Sequence, residues 1–472
     1  MNTTRNRTIL ALGVALALAA SGASATNGYF THGAGTKSKG QAGAGIANPE
    51  ELMILATNPA GITVLPESID AGLSVFSPMR DYRTSGSQAN GGCAPPGGPA
   101  NCAFTIGPNN LSSENEFFPI PFVAMNWNLS DVDYVATAFY ARGGMNTKWE
   151  GGTATFDPTA GQGTAGPQTF PGTYGGGTAG VDLMQAFVNL TYARKLSEEF
   201  SVGASAIFAM QRFEARGVST FAPYTKTYVE SFFTTGQPAV PRNLSANGHD
   251  MSYGYGGTLG LTWRPTEAFS FAASYTTKMS MSDFNDYSDL FAQGGGFDIP
   301  STWTVGLALK PTDQLALMFD VQEVKYTDVD SIANPIQNLF SCPIFNPPGG
   351  GNFENCLGGN RGAGFGWDDM MVYKLGGSWQ YDDQWTFRAG YSTGDQPIQK
   401  DQMTFNILAP GVMEQHFTVG FTKKQPGGNE LNFSFMYAPE ETVRGPNNFD
   451  PTQTVELKME QFEFEVSYSW KR

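Results

Sequence analysis

The chain has 472 residues, a net charge of −15, 15% charged and 13% aromatic residues, 57 glycines and a mean hydropathy of −0.25. An acidic surface of this kind repels phosphate backbones, which argues against nucleic acid as a partner. The length would suit two or three soluble domains, but sparse charge beside abundant aromatics argues against that count.

At the N-terminus, Arg5 and Arg7 precede an apolar run from Ile9 to Ala20, and Ala23-Ser24-Ala25 supplies small residues before a cleavage point. Residues 1–25 therefore read as a signal peptide cleaved after Ala25. Its apolar run is too short for a permanent spanning helix, which needs roughly 20 residues. No later stretch has that length either, so a helical membrane protein is excluded. The remaining way to live in lipid is a closed β-barrel, in which alternation dilutes the apolar residues.

In residues 26–66 the glycines 28, 33, 35, 40, 43, 45 and 61 interrupt any period-2 run. Small residues and low charge suit a compact plug folded into a barrel lumen better than a disordered tail. From 67 to 472 the pattern is alternating. Phe462, Phe464, Val466, Tyr468 and Trp470 interleave with Glu463, Glu465, Ser467 and Ser469, the two-faced strand of a transmembrane barrel. About fourteen such strands are expected, the first at 67–79, the third at 134–148 and the last two at 430–439 and 455–470. Short turns such as Pro265-Thr266-Glu267 alternate with long connections, among them 80–116, 218–249, 328–369 and 440–454. Short periplasmic turns and long outer loops are the expected asymmetry of an outer-membrane barrel. A bore of that size is wider than side chains alone can fill, so a plug is needed or the pore is open.

Two local cysteine pairs, Cys93 with Cys102 and Cys342 with Cys356, lie in long loops and read as disulfides in an exported protein. Their spacings do not suit a zinc site, and His32, His249 and His416 lie far from them.

The order Asn27-Gly28-Tyr29-Phe30, Gly40-Gln41-Ala42-Gly43-Ala44-Gly45, Asn58-Pro59-Ala60-Gly61 resembles the N-terminal hatch of the FadL/TodX-type transporters of long-chain fatty acids and aromatic hydrocarbons. The likeness covers the hatch closely and the barrel by strand count and layout. It implies a monomeric outer-membrane barrel plugged by the hatch, with no cofactor and no metal. Hydrophobic ligand would be captured outside, passed on by the hatch and released sideways through a gap where the third strand kinks inward. Asn58, Pro59 and Ala60 then match the conformational element, or form an ordinary turn into strand one. Tyr29 and Phe30 match the ligand-contacting end, or seat the plug. Gly143 and Gly144 in the third strand are the candidate kink, or ordinary strand flexibility.

Other chemistry is weakly signalled. His416 should face the lumen, where catalysis would need a partnered Ser or Asp. Asp283, Asp286 and Asp289 share a loop and could hold a cation or be merely solvated. Lumen-facing Lys310, Asp320, Arg388, Glu463 and Glu465 should pair with one another or with water. Gly175-Gly176-Gly177 lacks the Lys of a phosphate loop. External Phe232, Phe233, Phe291, Phe340 and Phe345 are candidates for first capture. The expected role is passive uptake of fatty acids or other hydrophobic compounds by a barrel set in outer-membrane lipid and lipopolysaccharide. An aromatic hydrocarbon channel of the same family and a diffusion porin for polar solutes are the alternatives.

Overall fold

The computed structural model describes residues 27–94, 102–160, 166–345 and 350–472; the expected signal peptide lies outside them. Strands β1 (Ser68–Thr84), β2 (Phe118–Asn128), β3 (Asp133–Asn146), β4 (Gly180–Lys195) and β5 (Phe200–Arg216) follow the hatch. Next come β6 (Asp250–Thr266), β7 (Phe269–Thr276), β8 (Thr302–Thr312), β9 (Leu315–Val324) and β10 (Met370–Gln380). The series ends with β11 (Trp385–Gly394), β12 (Gln415–Lys424), β13 (Glu430–Asn447) and β14 (Asp450–Lys471). Each pairs antiparallel with its neighbour in sequence, and β1 closes on β14 from Ser68↔Lys471 to Thr84↔Val455. The fold is thus a closed 14-stranded antiparallel barrel, with both ends on the short-turn rim, as a periplasmic rim requires.

One expected loop is not a loop. Residues 440–454 continue β13 and β14 as a hairpin turning at Asn448 and Phe449, paired as far as Asn447↔Asp450. The reason is visible in which side chains are buried. In the lower part of β14, Glu463, Glu465, Ser467 and Ser469 are buried inside, while Phe464 and Val466 stay about half exposed, facing lipid. Higher up the same strand, Val455, Leu457 and Met459 are buried inside and Lys458 faces out. The alternation is unbroken, but its chemistry inverts where the strand leaves the membrane. β5 repeats this: Ser201 and Ser205 are buried low down, Phe213 and Ala215 high up, with Phe208 exposed outward between them. The lumen therefore has a polar lower storey and an apolar upper one, the latter filled by folded-in outer loops.

Candidate functional site

The hatch occupies the lower storey, except that its first residues, Asn27 to Phe30, reach up into the apolar one. At the periplasmic end, Asn58 caps the 3-10 helix Pro59–Val64: its carbonyl oxygen accepts the Ala60 N–H at 3.1 Å. Pro59 at the first helical position needs no hydrogen-bond partner for its nitrogen. The Asn58 amide donates to Leu261 O and Thr262 Oγ1 of β6, both at 3.2 Å. The wall has been cut back to admit this turn, since a Cβ on Gly260 would lie 2.0 Å from Asn58 Oδ1 and one on Gly203 2.6 Å from the Ala60 nitrogen. Gly390 plays the same part opposite the glycine-rich segment, where a Cβ would fall 2.3 Å from the Gln41 carbonyl carbon.

The centre of the hatch is held by charge. Lys39, on the helical turn Thr36–Lys39, reaches both Glu463 and Glu465 of β14, all three groups being buried. Thr36 Oγ1 donates to Glu465 at 2.8 Å, and Lys37 pairs with Glu430 of β13 at 2.7 Å. Glu50 of the hatch meets Arg388 of β11 at 2.7 Å, and Asp320 of β9 accepts the N–H groups of Gly45 and Ile46 at 2.8 and 3.0 Å. Four of the lumen-facing charges thus pair with the hatch rather than with one another; Lys310 remains exposed at the rim. Buried charges demand partners at close quarters, so this array fixes the hatch at one height and one rotation.

The N-terminal end of the hatch meets the wall at its one irregular seam among the described strands β1 to β5. β1 and β2 stay paired up to Phe76↔Phe118, but β2 and β3 stop at Phe122↔Tyr140. Beyond that point β3 bulges: Ala141 faces Ala186 and Gly143 faces Gln185, leaving Arg142 as the extra residue. Its freed edge pairs with the hatch instead, the Thr31 N–H donating to Arg142 O at 2.9 Å and the Gly144 N–H to Tyr29 O at 3.0 Å. On the facing strand, Pro119 and Pro121 occupy alternate positions, so one edge of β2 has no N–H to offer there. This alternate-proline signal sat inside an expected strand and was missed; it explains the seam as well as the glycines do. Thr31, Gly33, Ala34 and Gly35 of the hatch line the inside of the seam.

Tyr29 and Phe30 are both buried, in an aromatic cluster with Tyr326 and Trp367 at centroid distances of 4.7 to 6.1 Å. Burial raises the Tyr326 phenol above its ordinary value, keeping it a neutral donor to Asn27 O while it accepts the Tyr29 N–H at 3.1 Å. Gly28 stands between them at φ 66°, where a Cβ would strike the Tyr326 hydroxyl at 2.3 Å. Beside this cluster lies an inner apolar pocket of about 20 Å³, lined by Tyr29, Phe76, Trp367 and Met459. One cation, Arg80, lines it, while Arg142 lines the cleft at the seam. Arg142 stacks on Phe30 at 4.8 Å, and Arg80 donates to the Asn115 and Asn146 carbonyls while its Nε has no partner. Neither is within ion-pair distance of a carboxylate among the described residues, although the Glu116 charge reaches Arg80 electrostatically. A second, outer pocket of about 40 Å³ is lined by Phe213, Phe221, Phe291, Phe365 and Leu408. A cavity needs roughly 10–15 Å³ to hold one water, so both pockets are closed to any organic ligand until side chains move.

Residues 16–467 match the family described as outer membrane protein transport protein (OMPP1/FadL/TodX). The chain belongs to the FadL/TodX family. Its members are outer-membrane β-barrels that transport hydrophobic compounds and are not enzymes, and this chain is one of them. Its fold is similar to the crystal structure of the Pseudomonas putida toluene transporter TodX, at 15% identity and a TM-score of 0.59, covering 93% of this chain and 99% of that one. A Pseudomonas aeruginosa FadL homologue gives 15% identity, TM-score 0.57 and coverage of 94% and 99%. The Ralstonia pickettii toluene transporter TbuX gives 16%, 0.55, 93% and 98%. Among curated proteins there is no sequence match.

The remaining expected residues of this FadL/TodX chain fall away from the hatch. Cys93 and Cys102 are joined, as are Cys342 and Cys356, each closing an outer loop. Of the five external phenylalanines, Phe291 lines the outer pocket; Phe232 and Phe233 project from the helix Lys226–Thr235, and Phe340 packs on Phe345 at 5.4 Å. Asp289 accepts the Asn243 N–H at 3.0 Å, and the described residues contain no group of acids arranged to hold a metal. His416 does have a serine partner, Ser392 Oγ at 3.1 Å from Nδ1, but both are buried under the hatch with the ring stacked on His32 at 5.8 Å.

Proposed function

We propose that this barrel takes up long-chain fatty acids or related hydrophobic acids by passive diffusion, using the hatch as a gate and the β2–β3 seam as a sideways exit. In this reading ligand enters the outer pocket, moves to the inner pocket and leaves into the membrane when Tyr29 to Thr31 come off the β3 edge. Gly143 and Gly144 give β3 the freedom to bulge, and Asn58-Pro59-Ala60 transmits the change to the periplasmic end. Residues 1–25 serve export and are removed, and the mature chain works as a monomer among outer-membrane lipid and lipopolysaccharide.

One observation carries the choice of cargo: Arg80 lines an apolar pocket with no carboxylate in ion-pair contact among the described residues, Glu116 standing further off. A buried guanidinium without a counter-charge in contact is unfavourable, and a ligand with an acyl chain and a carboxylate would supply both halves of the environment. A polar-solute porin is disfavoured because apolar side chains fill the upper lumen among the described residues. An aromatic hydrocarbon cargo is favoured by the rings of Tyr29, Phe76 and Trp367 lining the same pocket, backed by Phe30 and Tyr326.

The test is uptake of radiolabelled oleate and of toluene by cells lacking their own transporter. The account expects oleate uptake above the empty strain, reduced by Arg80→Gln with any toluene uptake unaffected. Toluene uptake with no oleate uptake would replace this cargo with the hydrocarbon.

A further inference from the structure

The two apolar pockets are adjacent but do not join, and one side chain lines both: Leu408. It lies in the connection between β11 and β12 and is 5% exposed. The partition around it has two walls. Phe365 faces the outer pocket and Trp367 the inner one, with their rings 6.2 Å apart. Asn406 ties these walls together, its Oδ1 accepting the Trp367 indole N–H at 2.6 Å while its amide donates to Phe365 O at 2.7 Å. From the other side, Trp149 Nε1 donates to Ile407 O at 2.9 Å and Thr147 Oγ1 to Leu408 O at 2.8 Å.

The backbone of the partition is therefore held on both flanks by hydrogen bonds, while the Leu408 isobutyl group is held only by packing. Rotamer changes of such a group take place without breaking any hydrogen bond, and even a buried leucine hops between staggered wells. Rotation away from its position would move aside the one residue that lines both pockets. The inner pocket already touches the hatch, being lined by Gly28 and Tyr29 as well as Trp367.

We propose that Leu408 is an internal gate, separating capture of a hydrophobic ligand in the outer pocket from its delivery to the hatch. This rests on the transport reading above, whatever the cargo. The gate explains how the outer pocket can hold ligand while the hatch stays seated, and it makes side-chain size at position 408 the determinant of delivery rate.

The experiment uses the full chain with Leu408→Ala, Leu408→Phe and Leu408→Trp, folding being checked by the mobility shift of unheated barrels. Uptake of radiolabelled oleate is measured in cells, and a diazirine fatty acid is photocrosslinked to the purified protein. With Leu408→Trp, crosslinks are expected at Phe221 and Phe291 but not at Tyr29 or Gly411, with uptake lower by about tenfold or more, as for a blocked conformational step. Leu408→Ala should crosslink at both places and transport at least as fast as the native chain. If the tryptophan variant does not fold, the order Ala, Leu, Phe decides: uptake must fall along it, and equal rates overturn the gate. Failure of the transport reading would look different, with the native chain itself no better than the empty strain.

Discussion

Replacing Lys39 by Met should loosen the hatch without harming the barrel. The ammonium serves two carboxylates, Glu463 and Glu465, which are 2% and 1% exposed. Without it, Glu465 keeps the Thr36 hydroxyl and Glu463 keeps Ser74 and His32, but both negative charges stay buried with no nearby lysine. Removing one partner of a buried pair costs about 3–5 kcal/mol, which is roughly two to four orders of magnitude in the ratio of seated to unseated hatch at about 1.4 kcal/mol per tenfold. Hydrogen exchange resolved by mass spectrometry reads this directly, because local opening sets the exchange of the amides it exposes. The amides of Ala42, Gly45 and Ile46, each bonded to the wall, should exchange faster by about that factor. Those of β8 to β14 should be unchanged. Adding Glu463→Gln and Glu465→Gln to Lys39→Met should recover most of the protection, since no unpaired charge is then left inside. The reasoning is refuted if the hatch amides of Lys39→Met exchange as slowly as those of the native chain, or if hatch and strands accelerate together.

Three further outcomes are expected. Gly390→Val places a side chain on the Gln41 backbone, so the barrel should still form while the hatch becomes open to protease from the periplasmic side. Restoring N–H groups with Pro119→Val and Pro121→Val should let the upper edge of β2 take part in a ladder; uptake is expected to fall, and unchanged uptake would show that the seam is not the exit. In the outer loop between β9 and β10, the Asn360 N–H and then the Lys226 ammonium hold the Glu354 carboxyl below the usual range. This tie is fully present above the ordinary carboxylate value of about 4.3 and is lost as pH falls through the lowered one. Exchange of the Lys226–Thr235 helix, corrected for its intrinsic pH dependence, should therefore rise in strongly acidic buffer and lose that step in Glu354→Gln.

The barrel was legible because lipid enforces a strict alternation: Phe464 and Val466 against Glu463 and Glu465 leaves one reading open. The same rule misled at 440–454, where the strands rise out of the membrane and swap their polar and apolar faces. Val455 and Leu457 there face a core of loops, and loop packing has no period to read. The hatch was legible from its glycines, whose purpose appears only in the wall, where Gly203, Gly260 and Gly390 are cut back to receive it. Partners for Asp320, Arg388, Glu463 and Glu465 could not be assigned, because they come from residues hundreds of positions away. The glycines of β3 mark the strand that bulges, yet the prolines opposite them needed the neighbouring strands in place before they meant anything.

The most direct test of lateral gating is to fasten the hatch to the seam. Phe30 and Gly143 face each other as an antiparallel bridge, a spacing within reach of a disulfide. The four native cysteines are already paired. With Phe30→Cys and Gly143→Cys joined, oleate uptake should drop to the level of the empty strain and return under mild reduction that leaves uptake by the native chain intact. Full uptake through a completely cross-linked protein would contradict the account.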